Sequence, residues 1–218
     1  METHTLVNGL LHYIYFVILL TFHEFAHAWT AWKLGDRTAR DLGRISLNPV
    51  VHIDPLGTVI IPLIAIALSA SAGGVGFFFG WAKPVPVDRS AFSNPRWHDS
   101  LVTAAGPAMN LVLAFLLVLL AKGSQIAGSP KAFSVLMDMA YLSTLLCFFN
   151  LLPVPPLDGS HLLRNAIRMS DETFLRFSQY GFFIIIVVMQ IPWIRNFIAF
   201  VVHVSMALMA ALAGLRGG

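Results

Sequence analysis

Long apolar runs separated by short polar loops set the rhythm of this chain. Leu6 to Trp32, Leu101 to Ala121, Phe133 to Leu152, Phe174 to Ile191 and Phe197 to Leu212 each approach the roughly 20 apolar residues that carry a helix across about 30 Å of hydrocarbon. Leu56 to Ala72 is shorter and ends in Gly73-Gly74, which predicts a helix that enters and turns back, with Gly74 to Trp81 returning as an extended segment. The pattern predicts an all-α polytopic membrane protein with about five full transmembrane helices plus one re-entrant helix/extended hairpin. One membrane domain covers residues 1–218. Its predicted parts are a first helix at about 6–33, the hairpin at about 56–82, a core helix at about 100–121, a proline-broken helix at about 133–168, and C-terminal helices at about 174–191 and 197–212.

Composition agrees with that pattern. Apolar residues make up 57% of the 218, charged residues only 11%, and mean hydropathy is +0.74, which excludes an ordinary soluble globular domain. The first Lys or Arg is Lys33, so the first run lacks the basic start of a signal peptide and is expected to stay as an anchor. The single cysteine, Cys147, excludes an internal disulfide. The net charge of +3 comes from basic residues in loops, a distribution that suits a cytoplasmic lipid rim and not nucleic acid.

One feature breaks the apolar logic. His23-Glu24-Phe25-Ala26-His27 lies inside the first run, where ionisable groups are costly and therefore point to function. Residues four apart share a helix face, so His23 and His27 can grip one zinc ion, with Glu24 beside them as general base. A catalytic zinc needs a third protein ligand. Asp158 stands out because Pro153, Pro155 and Pro156 break the preceding chain, and a broken segment at membrane depth must line a cavity or lie within protein. His52, Asp54 and His161 are the rivals, His161 foremost as ligand or supporting residue, and Glu172 is the remaining glutamate alternative.

Together these residues resemble the site-2 protease family of intramembrane zinc metalloproteases, in a short form without a PDZ-type module between the metal-binding regions. The resemblance rests on the His23 to His27 motif, Gly80-Trp-Ala-Lys-Pro-Val-Pro-Val87, Ala105-Gly-Pro-Ala-Met-Asn110, and Asn150 to Gly159 with its Leu-Asp-Gly core. It implies that His23, His27 and Asp158 ligate one Zn2+ per chain, that Glu24 is the catalytic base, and that Asn150 holds substrate or a developing oxyanion. Asn110 is a further substrate-binding candidate, although its place in an apolar helix also suits structural support of the site. Gly76 and Phe78 are expected to bind an unwound peptide by strand addition, with lipid anchoring as the other reading of Phe77-Phe78-Phe79.

Charge distribution orients the chain. If Leu56 to Ala72 crossed fully, the fourteen basic residues would divide evenly between the two faces. A re-entrant hairpin leaves only Lys122, Lys131 and Arg195 on one face and places the other eleven opposite, which is the cytoplasmic side by the positive-inside rule. The expected setting is a multi-pass protein of a prokaryotic plasma membrane, with its active site toward the cytoplasm. Transmembrane proteins are the expected substrates and the lipid bilayer the surrounding partner. A non-catalytic metal-dependent binding or escort protein, or a metal-ion transporter, is the alternative function.

Overall fold

The protein is described by a computed structural model covering residues 2–72 and 80–215, with side chains from 5 to 69 and from 80 to 215. Every regular element among these residues is helical. The α-helices in chain order are α1 (Glu2–Lys33), α2 (Thr38–Asp41), α3 (Ile61–Ala72), α4 (Pro95–Ile126), α5 (Pro130–Asn150), α6 (Asp158–Ala166), α7 (Asp171–Gln179), α8 (Gly181–Val188) and α9 (Pro192–Leu212), with 3-10 turns at Pro49–His52 and Arg89–Ala91 and a π-helical turn at Pro55–Ile60. Two compact units divide the chain, Met1–Asp88 and Arg89–Gly218.

In the first unit, α1 turns Tyr15, Phe16, Leu19 and Leu20 inward and leaves Leu10, Leu11, Ile14 and Ile18 exposed, the one-sided burial of a helix that faces lipid along its other side. Gly9 lets α1 lie close to Ile66 of α3. Asp54 starts the turn leading into α3, its Oδ1 accepting from the amides of Leu56 at 3.0 Å and Gly57 at 2.7 Å, which satisfies donors that a helix start leaves unpaired. By Trp81 the chain has returned to this point. The Trp81 amide donates to the Gly57 carbonyl at 3.1 Å, and the Thr58 hydroxyl donates to the Trp81 carbonyl at 2.7 Å. A side chain at Gly57 would collide with the Trp81 indole, so glycine permits the close return. The excursion through α3 thus begins and ends at one place. Gly76 and Phe78 lie outside the described residues.

The second unit is built on α4 packed against α5, with Ala114, Val118, Ala140 and Met209 at its centre. Asn94 caps α4 by accepting from the Trp97 amide at 3.3 Å, and Pro95 occupies the first turn. The helix therefore starts before the 100–121 core expected from apolarity alone. Pro107, inside α4, is buried beside Gly106, and the Ser143 hydroxyl of α5 donates to the Asn110 carbonyl at 2.7 Å. The broken helix expected near 133–168 is present as α5 and α6, separated by the proline-rich stretch after Asn150.

One apolar run departs from expectation. Phe174 to Ile191 folds as α7 and α8 interrupted at Tyr180, not as one spanning helix. Among the described residues, four helices are long and apolar enough to cross a membrane, those containing Thr5–Lys33, Pro95–Ile126, Pro130–Asn150 and Pro192–Leu212. The interruption falls where Gly181 lies against the Pro155 carbonyl, a spot with no room for a Cβ. The first half of the run also carries Arg176, Ser178 and Gln179 before the Tyr180-Gly181 step, polar and turn-forming residues that suit a break there.

Gly159 occupies a similar place in the first turn of α6, where a Cβ would meet the carbonyls of Leu151 and Leu152. Backbone cannot swing aside as a flexible side chain can. Gly159→Ala should lower the thermal stability of the detergent-solubilised protein by about 1–3 kcal/mol, measured as a shift of the unfolding midpoint; a wild-type midpoint would contradict this close approach.

Candidate metal centre

The candidate centre starts from helix geometry. His23 and His27 are one turn apart on α1, so both rings project from the same buried face. Their Nε2 atoms lie 3.0 Å apart and their ring planes meet at 81°. Two imidazoles sharing a tetrahedral zinc with bonds near 2.0–2.1 Å hold their nitrogens about 3.3 Å apart, so small ring movements suffice to admit the ion. Glu24 completes the cluster, whose candidate ligand atoms all lie within 4.8 Å of one another. All three residues are at most 8% exposed. Among the described residues this is the only grouping of three or more His, Cys, Asp or Glu side chains with metal-holding geometry. Two buried imidazole nitrogens of borderline softness, placed to share one ion, fit zinc, and the Glu24 carboxylate beside them suits a base next to the metal.

The loop after α1 surrounds this cluster with further polar groups. Arg44 and His52 are buried, and the Glu24 carboxylate acts electrostatically on both. His52 Nε2 donates to the Ser46 carbonyl at 2.8 Å, which leaves Nδ1 facing the Arg44 guanidinium at 3.5 Å. Burial is the main cause holding the His52 imidazole below its ordinary pKa; the Ser46 hydrogen bond and Glu24 oppose that shift, and Arg44 adds to it. Burial likewise lowers Arg44, against the pull of Glu24, but a guanidinium stays charged. Asp54, a sequence-level rival for third ligand, uses Oδ1 on the turn into α3.

The remaining predicted residues lie in the second unit. Asp158 is the first residue of α6, reached after the proline-broken stretch. Asn150 ends α5 and donates its Nδ2 to the Leu146 carbonyl at 2.9 Å. Asn110 is fully buried on α4, at the contact with α5. His161 packs edge-on against Phe174 with ring centroids 4.8 Å apart. Its pKa is lowered chiefly by burial, with the carboxylates of Asp99 and Asp158 working against that shift. Beyond His161, a network ties α6 to its surroundings: Asn165 donates to Asp99 at 2.7 Å and to Ser100 at 3.1 Å, Arg89 donates to Asn165 at 3.1 Å, and Arg164 pairs with Asp171. Sequence reasoning had no assignment for Arg44, because its partners are main-chain carbonyls almost forty residues away and carry no signature in the side-chain pattern.

Comparison with known proteins gives a consistent set of relatives. The family model described as Peptidase family M50 matches residues 12–133 and 124–191. Relatives that carry the name "Putative zinc metalloprotease" include YwhC of Bacillus subtilis (strain 168), 39% identical over 187 residues that cover 81% of this chain and 78% of the relative, and Rip2 of Mycolicibacterium smegmatis, 33% identical over 178 residues that cover 79% and 64%. Rip2 of Mycobacterium tuberculosis (strain H37Rv) is 29% identical over 191 residues, 86% of this chain and 69% of that one. No solved structure matches the chain.

The lowered pKa of His52 has a consequence for acid stability. A histidine held below its unfolded value of about 6.5 contributes stability that is complete above that pH and is lost as pH falls toward the folded value. Protonation also sets a second cation beside Arg44. The unfolding midpoint of metal-free protein should therefore drop as pH falls below about 6.5, and His52→Gln should flatten the decline. Equal slopes for the two proteins would remove His52 from the cause.

Proposed function

Because this chain belongs to peptidase family M50, we propose that it hydrolyses peptide bonds within or next to the transmembrane segments of other proteins, using the buried cluster on α1 as an intramembrane zinc metalloprotease centre. The observation that carries this reading is the pair of Nε2 atoms 3.0 Å apart with a carboxylate beside them, inside a helix of membrane-crossing length. His23, His27 and Asp158 are the proposed ligands of one zinc ion. Bound there, zinc supplies Lewis-acid polarisation of a carbonyl and makes water a better nucleophile near neutral pH.

The protein's own groups do the rest. Glu24 accepts the proton of the attacking water and delivers it to the leaving nitrogen. A transmembrane substrate hides its carbonyls in the helical hydrogen-bond ladder, so the target must unwind before attack. Gly76 and Phe78, in the stretch from Gly74 to Trp81, and the proline-broken segment before Asp158 are proposed to offer backbone edges to the unwound segment. Asn150 orients that segment near the metal, and Asn110 supports the helices around it. Two features favour these proposals over a metal-dependent escort protein or a metal-ion transporter. Family membership is that of a peptidase, and a transporter would more naturally spread its ionisable groups along several helices.

The proposed setting is a plasma membrane, with the active site toward the cytoplasmic side. The return of Trp81 to Gly57 supports a re-entrant path for α3, and that path gathers the basic loops on one face. From His23 to Lys33 is about 15 Å of helix, a depth that leaves the cluster below the surface yet near water.

Metal analysis of purified proteins, paired with cleavage of a model transmembrane substrate, tests the assignment. Glu24→Gln should keep zinc and lose about 10²–10⁴-fold in rate, while His23→Ala and Asp158→Asn should lose both zinc and activity. Full zinc retention in Asp158→Asn would remove that residue from the ligand set, and undiminished cleavage by Glu24→Gln would end the hydrolytic assignment.

A further inference from the structure

Asp158 and Asn165 both lie on α6, seven positions apart. That is close to two full turns, so the two side chains leave the helix on nearly the same side. His161 lies between them in sequence and within electrostatic reach of both Asp158 and Asp99. One face of α6 therefore carries the proposed metal ligand at its start and an amide near its end.

The amide end is firmly bound. Asn165 Nδ2 donates to Asp99 Oδ2 at 2.7 Å and to Ser100 Oγ at 3.1 Å, and its Oδ1 accepts from Arg89 Nη2 at 3.1 Å. Asp99 is only 5% exposed, and Arg89 Nε stands 3.5 Å from the same carboxylate oxygen. A carboxylate buried to this degree needs compensating partners, and one of them is supplied by α6. An apolar residue at 165 could pack α6 against α4 in several orientations. An amide with three directional partners admits far fewer.

Rotation of α6 is what such a tie controls. Gly159 lets the first turn lie against the carbonyls of Leu151 and Leu152, which sets how near the helix sits but leaves its turn about its own axis to other contacts. A carboxylate oxygen roughly 6 Å from that axis moves about 2 Å when the helix turns by about 20°. Metal–ligand distances tolerate only about 0.2 Å.

We infer that Asn165, held by Asp99, Ser100 and Arg89, is a positioning residue for Asp158: it fixes the rotation of α6 and so aims the carboxylate that ligates zinc. The inference rests on Asp158 being a zinc ligand, as proposed above, and adds the group that orients it. Asn165 touches neither metal nor substrate in this account.

The test uses the full-length protein in detergent, with zinc Kd measured by competition against a chelator. Asn165→Asp, which sets a second carboxylate against Asp99, should weaken zinc binding about 10–100-fold, the range typical of groups that support a metal ligand. Asn165→Ala removes the tie without adding a charge; it should act in the same direction, and it decides the matter if Asn165→Asp does not fold. Exchanging the two groups, Asp99→Asn together with Asn165→Asp, should recover most of the lost affinity. In an Asp158→Ala background the changes at 165 should shift Kd by less than about twofold, because no carboxylate is left to aim. General loosening of the helices would instead weaken zinc by the same factor in both backgrounds. Wild-type Kd in a folded Asn165 variant, an equal loss with and without Asp158, or an exchange that recovers nothing overturns the inference and leaves the protease reading standing. Wild-type zinc binding by Asp158→Ala would remove Asp158 from the ligand set and this inference with it.

Discussion

Two imidazoles and a carboxylate sit inside a helix whose length and composition suit hydrocarbon, and the desolvation of those groups is the constraint to which the first unit answers. Charged or strongly polar groups at such depth persist only when polar partners or a bound ion compensate them. The protein meets the demand by folding a polar loop back over the end of α1. Arg44, His52 and the 81–84 stretch bring a cation, an imidazole and ordered carbonyls into the neighbourhood of Glu24.

In the second unit the difficulty is placement of a carboxylate on a chain that has just left a long helix. Three prolines end α5, and α6 restarts at Asp158. Gly159 allows that new helix to lie directly against the carbonyls of Leu151 and Leu152. At its far end α6 is tied by Asn165 to Asp99 and Ser100 and by Arg164 to Asp171. A nine-residue helix held at both ends has little freedom to drift, which is what a lone metal-directed carboxylate would require.

Much of this was legible in the residues. The His23–Glu24–His27 cluster follows from helix periodicity alone, and the long apolar helices α1, α4, α5 and α9 follow from run length. Prolines 153, 155 and 156 announced the break before Asp158. Legibility ended where tertiary contacts decide. Counting apolar residues passed over Arg176, Ser178, Gln179 and Gly181 in the run from Phe174 to Ile191, which breaks at Tyr180, and it could not show how closely Gly181 approaches the Pro155 carbonyl. Arg44 was counted only as a loop charge, because its role depends on carbonyls that any sequence would supply. His52 and Asp54 looked like possible ligands by residue type, yet His52 hydrogen-bonds Ser46 and Asp54 caps the turn that opens α3.

The clasp between Gly57 and Trp81 has an evolutionary implication. A chain that leaves and rejoins the scaffold at one knot ties the variation of its two ends together: a side chain larger than glycine at 57 is admissible only where the indole at 81 is replaced or moved.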